Sequence, residues 1–134
     1  MEQISGGEAP LQSQHDIVMA RQTVRRLSQE MGFSLVDQTK MVTAASELAR
    51  NTLIYGGGGV MLWHTLRNES KKGLRLIFSD QGPGIANIEL ALTDGWTSGG
   101  GLGLGLSGAR RLVNDFELES SPGSGTKVTI VRWS

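Results

Sequence analysis

Gly99-Gly100-Gly101-Leu102-Gly103-Leu104-Gly105 is the most distinctive segment of the chain. It is the centre of a wider run, Gly95 to Gly108, that holds seven glycines in fourteen residues, too many for an ordinary connection. A flexible linker would be polar, whereas Leu102, Leu104 and Leu106 alternate through this run. The run enters a helical pattern predicted from about Leu104 to Asn114, with Leu106, Ala109, Leu112 and Val113 apolar. Backbone N–H groups freed at a helix start favour phosphate, so the tract is a candidate phosphate cradle. It contains a G-x-G-x-x-G match at Gly103, Gly105 and Gly108. A dinucleotide-binding fold also needs a strand directly before the glycines and an acidic residue ~20 positions on, and a Ser/Gly loop precedes them here. No Gly-Lys dipeptide occurs, which excludes a Walker A loop.

Moving upstream, Asp80-Gln81-Gly82-Pro83-Gly84 follows the apolar run Leu74-Arg75-Leu76-Ile77-Phe78. Glycines on both sides of a proline let the backbone pass close to a flat ligand, and an Asp there can accept from an exocyclic amine. Taken alone, Asp80 is equally an exposed turn residue. Further upstream, Glu47 and Asn51 in Glu47-Leu48-Ala49-Arg50-Asn51 are i,i+4 on a helix, so a carboxylate and a carboxamide share one face. In isolation that pair reads more readily as a solvated surface. Downstream, Gly123-Ser124-Gly125-Thr126 enters the last strand.

The remaining pattern supplies a frame for these four blocks. Residues 1–14 are small and polar with Pro10, and read as a tail or a short edge strand; residues 15–134 read as one domain. Asp16 is the predicted N-cap of a helix with Ile17, Ala20, Val24 and Leu27 on one face, ended by Gly32. A second helix is predicted from Ser34 to Tyr55, with Met41, Ala45, Leu48 and Thr52 aligned and Gly56 to Gly59 stopping it. Strands follow at Val60 to Leu66 and Leu74 to Ser79 around a turn at residues 68–73, then a short helix near Asn87 to Leu92. Phe116 to Ser120 and Lys127 to Trp133 form a final pair. The predicted class is α+β, a two-layer α/β sandwich with a mostly antiparallel mixed sheet and helices on one face.

Composition narrows the chemistry. With 13 Lys+Arg against 13 Asp+Glu the chain has no net field to gather nucleic acid or anionic lipid. No apolar run approaches the ~20 residues of a membrane span, and the first residues lack a signal-peptide pattern, so the expected location is cytoplasmic. Without cysteine and with only His15 and His64, a thiol nucleophile is excluded and a zinc site is not expected. Both histidines read as ordinary surface residues, and Arg21, Arg25 and Arg26 as a solvated basic edge that one acidic partner could use. Trp63, Trp96 and Trp133 read as packing residues, with Trp96 beside the glycine tract.

In this order the four blocks resemble the N, G1, G2 and G3 boxes of the GHKL superfamily, the Bergerat ATP-binding fold, over about Asp16 to Trp133. Asp16-Ile17-Val18, Ala20-Arg21-Gln22, Ser46-Glu47-Leu48-Ala49-Arg50-Asn51 and Thr97-Ser98-Gly99-Gly100-Gly101-Leu102-Gly103 are most similar to the RsbT-type serine/threonine kinases of the anti-sigma regulatory branch. The resemblance implies ATP and Mg²⁺ as cofactors, Asn51 as metal ligand and Glu47 as general base toward a substrate hydroxyl. It also implies that Asp80 binds the adenine amine, that Gly82 and Gly84 line the base, and that Thr126 assists Asp80 through its hydroxyl. Gly101, Leu102, Gly103, Leu104 and Gly105 would form a lid over the phosphates, and Arg50 would meet phosphate or the protein substrate. The implied substrate is a STAS-domain antagonist, with a PP2C-type phosphatase activated afterwards.

Two departures stand out. Ile54-Tyr55 occupies the place where relatives carry Lys or His after the Asn, and four successive glycines predict a mobile turn after the helix. The rival reading is an ATP-gated anti-sigma factor or other non-catalytic switch, against which the presence of Glu47 argues.

Overall fold

The structure, a computed structural model, describes residues 1–85, 92 and 106–134. The predicted helix at Asn87 to Leu92 and the tract Gly95 to Gly105 therefore lie outside the described residues, apart from Leu92 itself. Five strands and three helices are seen among those described: β1 (Glu2–Leu11), α1 (Gln14–Glu30), α2 (Leu35–Ile54), β2 (Gly59–Asn68), β3 (Lys71–Asp80), α3 (Leu106–Arg111), β4 (Asp115–Ser120) and β5 (Thr126–Trp133).

The cap of α1 is Ser13 rather than Asp16. Its Oγ accepts the Asp16 N–H at 3.2 Å, while the Asp16 carboxylate accepts the Gln12 N–H at 2.8 Å. Two capping residue types three positions apart satisfy opposite ends of the same first turn, which is why the sequence alone favoured the wrong one. At α2, predicted to open at Ser34, that residue is the cap, and its Oγ accepts the Asp37 N–H at 3.1 Å. Ala44, Ala45 and Ala49 are buried along α2, so the helix lies close to both α1 and the sheet. Leu48 and Phe78 are each at most 2% exposed. Burying a side chain of that size contributes roughly 1.5–3 kcal/mol.

The sheet runs β1-β2-β3-β5-β4, and all four pairings are antiparallel, so nothing among the described residues makes it mixed. The reason is that β5 returns as a hairpin from β4 and inserts beside β3. Strand β1, the tail or edge strand of the sequence reading, is an edge strand, and its Leu11 is fully buried. The β2–β3 turn is tighter than predicted: Asn68 pairs with Lys71, which leaves only Glu69 and Ser70 in the loop, and Glu69 takes φ 59°. Helix α3 is shorter than predicted. It ends at Arg111, and beyond it the Asn114 N–H donates to Val131 O while Asn114 Oδ1 accepts from the Trp133 N–H at 2.7 Å.

One clip joins three elements. Arg132 on β5 donates to Asp37 Oδ1 at 2.6 Å and to the Leu112 carbonyl at 2.8 Å, so the start of α2 and the chain after α3 are tied to the sheet. The opposite sheet face carries Leu62, His64, Arg75, Ile77 and Val131, all half-buried. There Arg75 Nε donates to His64 Nδ1 at 3.2 Å, and burial together with Arg75 lowers the His64 pKa. Trp63 covers Gly7 and Trp133 covers Gly73, as packing residues do. Arg26, expected to be solvated, is exposed and pairs with Glu30 at 3.1 Å.

Candidate active site

The last two turns of α2 deliver the first residues of the site. Asn51 and Tyr55 face a pocket also entered by Asp80 from the end of β3 and Thr126 from the start of β5. Leu48, Phe78, Ile85 and Val128 form its apolar walls. The register explains the meeting, since Asp80 and Thr126 are directly opposed across the β3–β5 ladder. A mostly apolar slot with a few convergent polar groups suits a flat heteroaromatic ligand. Glu47 sits one turn before Asn51 and outside the pocket wall, half-buried, with its carboxylate 3.9 Å from the Arg50 guanidinium.

Asp80 is 7% exposed. Burial pushes its carboxyl up from the ordinary value, against backbone N–H groups of Gly82 and Thr126 that favour the charged form. The Gly82 N–H reaches Asp80 Oδ1 at 2.9 Å. The turn after α2 is shaped around this carboxylate. Gly56 and Gly58 donate their N–H groups to the carbonyls of Asn51 and Thr52, and a Cβ on Gly56 would collide with the Asp80 carboxylate. Of the four glycines expected to be loose, Gly56 and Gly58 are hydrogen-bonded and Gly56 is buried, while Gly57 is exposed.

The loop after Asp80 is laced to the β4–β5 turn. Gly84 adopts φ 77°, where a Cβ would strike the Ser121 carbonyl, and the Gly123 N–H donates to Pro83 O at 2.8 Å. Ser120 Oγ accepts the Ile85 N–H at 2.8 Å, donates to Gly125 O at 2.8 Å and lies 2.9 Å from Thr126 Oγ1. Tyr55 adds a hydroxyl bond to the Gly84 carbonyl at 3.3 Å. The Thr126 hydroxyl is therefore engaged with Ser120, and it is the Thr126 backbone N–H that serves Asp80.

Of the sequence-predicted residues, the structure brings Asn51, Asp80 and Thr126 to one pocket, folds Gly82 and Gly84 around its edge, and leaves Glu47 and Arg50 on the adjoining turn of α2. Gly101, Leu102, Gly103, Leu104 and Gly105 lie outside the described residues. Sequence reasoning missed Ser120, Tyr55 and Gly56. Only strand register could have found Ser120, because it opposes Thr126 on the neighbouring strand. Tyr55, four residues after Asn51, shares its helical face.

The fold and pocket define an ATP-binding domain of the histidine kinase-like class. Residues 36–133 match the family of histidine kinase-, DNA gyrase B- and HSP90-like ATPases, and the chain belongs to that family. Within it, the chain is 44% identical over 123 residues to serine/threonine-protein kinase RsbT of Bacillus subtilis (strain 168), a match covering 92% of each chain. Among solved structures, the RsbU and RsbW domains of a Mycobacterium tuberculosis protein superpose with a TM-score of 0.63 at 17% identity, over 96% of this chain and 32% of that one. This chain thus spans about a third of that relative. The SiaB–SiaC complex of Pseudomonas aeruginosa gives a TM-score of 0.52 at 12% identity, over 98% of this chain and 91% of its counterpart. At those identities the likeness is one of fold.

Proposed function

We propose that this chain, a protein serine/threonine kinase that uses ATP, phosphorylates a STAS-domain antagonist in a partner-switching pathway and afterwards activates a PP2C-type phosphatase. The observation that carries the reading is the convergence of Asn51, Asp80 and Thr126 on one apolar-walled pocket, with a carboxylate, Glu47, one helical turn away.

Asp80 accepts from the adenine amine, with Gly82 and Gly84 giving the base room and Thr126 beside it. Asn51 holds Mg²⁺ through its carboxamide oxygen. No cluster of three His, Asp or Glu side chains is found among the described residues, which suits a metal that arrives with phosphate oxygens and water for its other ligands. Bound ATP and Mg²⁺ supply the phosphoryl group and offset its charge. Glu47 takes the hydroxyl proton of a substrate Ser or Thr as that oxygen bonds the γ-phosphorus and ADP departs. A half-buried position outside the nucleotide slot lets Glu47 meet a hydroxyl carried by another protein. Arg50 meets phosphate or that protein, and Gly101, Leu102, Gly103, Leu104 and Gly105 cover the phosphates. The working location is the cytoplasm; no helix among the described residues is long and apolar enough to cross a membrane.

The test incubates the protein with Mg-ATP and a STAS-domain partner and reads the partner by intact mass. A gain of one phosphoryl group is expected, falling by about 10²–10⁴ in rate for Glu47→Ala while ATP binding persists. Wild-type transfer by Glu47→Ala overturns the base assignment. ATP binding without transfer by the wild-type protein favours the non-catalytic switch, and no ATP binding overturns the reading.

A further inference from the structure

The outer face of α2 carries a regular stripe that the nucleotide slot leaves unused. Val36, Lys40, Thr43, Glu47, Arg50 and Ile54 follow one another at alternating steps of four and three residues, the spacing that keeps side chains on one side of a helix. All six are exposed or half-buried, with Val36 63% and Ile54 47% exposed, while the buried side of α2 packs on α1 and the sheet. An exposed stripe with an apolar residue at each end and charge between them suits a protein partner. At about 100° of helix per residue, Asn51 lies about 40° from Glu47 in one sense and Arg50 about 60° in the other. Asn51 lines the slot, so Glu47 stands at its border and Arg50 is set on the side away from the nucleotide.

The charge of the stripe points the same way. Lys40 and Arg50 stand on either side of Glu47, the one anion among the six. Arg50 is 3.9 Å from Glu47, and a pair that long between largely exposed groups is worth little, so an incoming carboxylate can take Arg50 over. With Glu47 as the base, the protein that brings the hydroxyl approaches across this stripe and meets Arg50 beside the base and Ile54 about two turns beyond it. We infer, resting on the phosphotransfer reading above, that the stripe is the docking surface for the phosphoacceptor protein. Arg50 reads a carboxylate that the partner carries near its acceptor Ser or Thr, and Ile54 packs on an apolar side chain of the same segment. Arg50 is thus a specificity residue for the protein substrate rather than a phosphate ligand. The partner carboxylate also draws Arg50 off Glu47 and leaves the base to the incoming hydroxyl.

The test follows phosphorylation of the STAS-domain partner by steady-state kinetics on the whole chain, with ATP dissociation constants from calorimetry and far-UV circular dichroism reporting the folding of each variant. Arg50→Glu should raise KM for the partner at least about tenfold and leave the Kd of ATP within about twofold of wild type. Ile54→Ala should raise the same KM about fivefold, again without weakening ATP. The wild-type KM for the partner should rise with salt more steeply than that of Arg50→Ala, because a charge contact is screened in the first and missing in the second. An Arg50→Glu protein that binds ATP about tenfold more weakly, with the partner KM unchanged, would place Arg50 on the phosphates and overturn the inference while sparing the kinase reading. Unchanged constants in both Arg50→Glu and Ile54→Ala would overturn it as well. A wild-type protein that binds ATP and transfers nothing to the partner overturns the reading above and the docking surface with it.

Discussion

Asp80 pays for its position in the apo protein and is useful for the same reason. Its folded pKa is raised above 3.8 by burial, so the cost to the fold is absent below that unfolded value and full once pH exceeds the folded one. An amine donor arriving at the ionised carboxylate offsets that cost. ATP affinity should therefore weaken as pH is lowered through the raised folded value, and Asp80→Asn should bind ATP at least about 100-fold more weakly, both read by calorimetry. Gly84 offers a second test. Its φ of 77° and the Ser121 carbonyl at the place of a Cβ predict that Gly84→Ala lowers stability by about 2–4 kcal/mol in urea denaturation. Gly32→Ala, with a similar φ of 76° and nothing within 4 Å, should lose only about 1 kcal/mol. Asn51, Asp80 and Thr126 were legible because each carries a donor or acceptor at a glycine boundary or beside a second polar residue of the same helical face. Ser120 was not, since in Glu119-Ser120-Ser121 nothing separates it from a surface serine until the strand register is known.

Helix α2 is the element on which the site depends, and it is held at both ends. The Gly56 turn fixes its C-terminus against Asp80, while Arg132 fixes its first turn through Asp37. Arg132 keeps the Asp37 carboxyl below its ordinary value of 3.8, chiefly through their hydrogen bond. A lowered folded pKa contributes stability above the unfolded value that is lost as pH falls through the folded one. Asp37→Asn should accordingly cost about 1–2 kcal/mol near neutrality. The gap to wild type should narrow on acidification below about 3.8, as followed by thermal melts across pH. The sequence disclosed α2 almost to its ends because Ser34 and the glycines punctuate a long 3.6-residue pattern. It disclosed the α1 cap less well, since Ser13 and Asp16 are both capping types. The two-residue hairpin at Glu69-Ser70 was hidden because polar strand ends on both sides resemble loop.

At the scale of the molecule, a ligand bound only by the folded state must raise stability. Mg-ATP at about 100 times its Kd should add about 2.7 kcal/mol, a rise of several degrees in Tm by calorimetry, and the same concentration should add no more than about 0.4 kcal/mol to Asp80→Asn. The two layers were legible from helix and strand periodicity, but the sheet order was not. Hairpins announce only sequence neighbours, and nothing local says that β5 lies between β3 and β4. That insertion has a consequence for how the protein comes into being. Among the described residues β4 pairs only with β5, and Asp80 has no Thr126 opposite it until β5 is in place. As the ribosome extends the chain, the helices and the first three strands emerge first, and the nucleotide slot lacks its Thr126 wall until the fifth strand follows. A chain ending between Ser120 and Thr126 would therefore carry β4 without its β5 partner and a pocket without the Thr126 and Val128 wall.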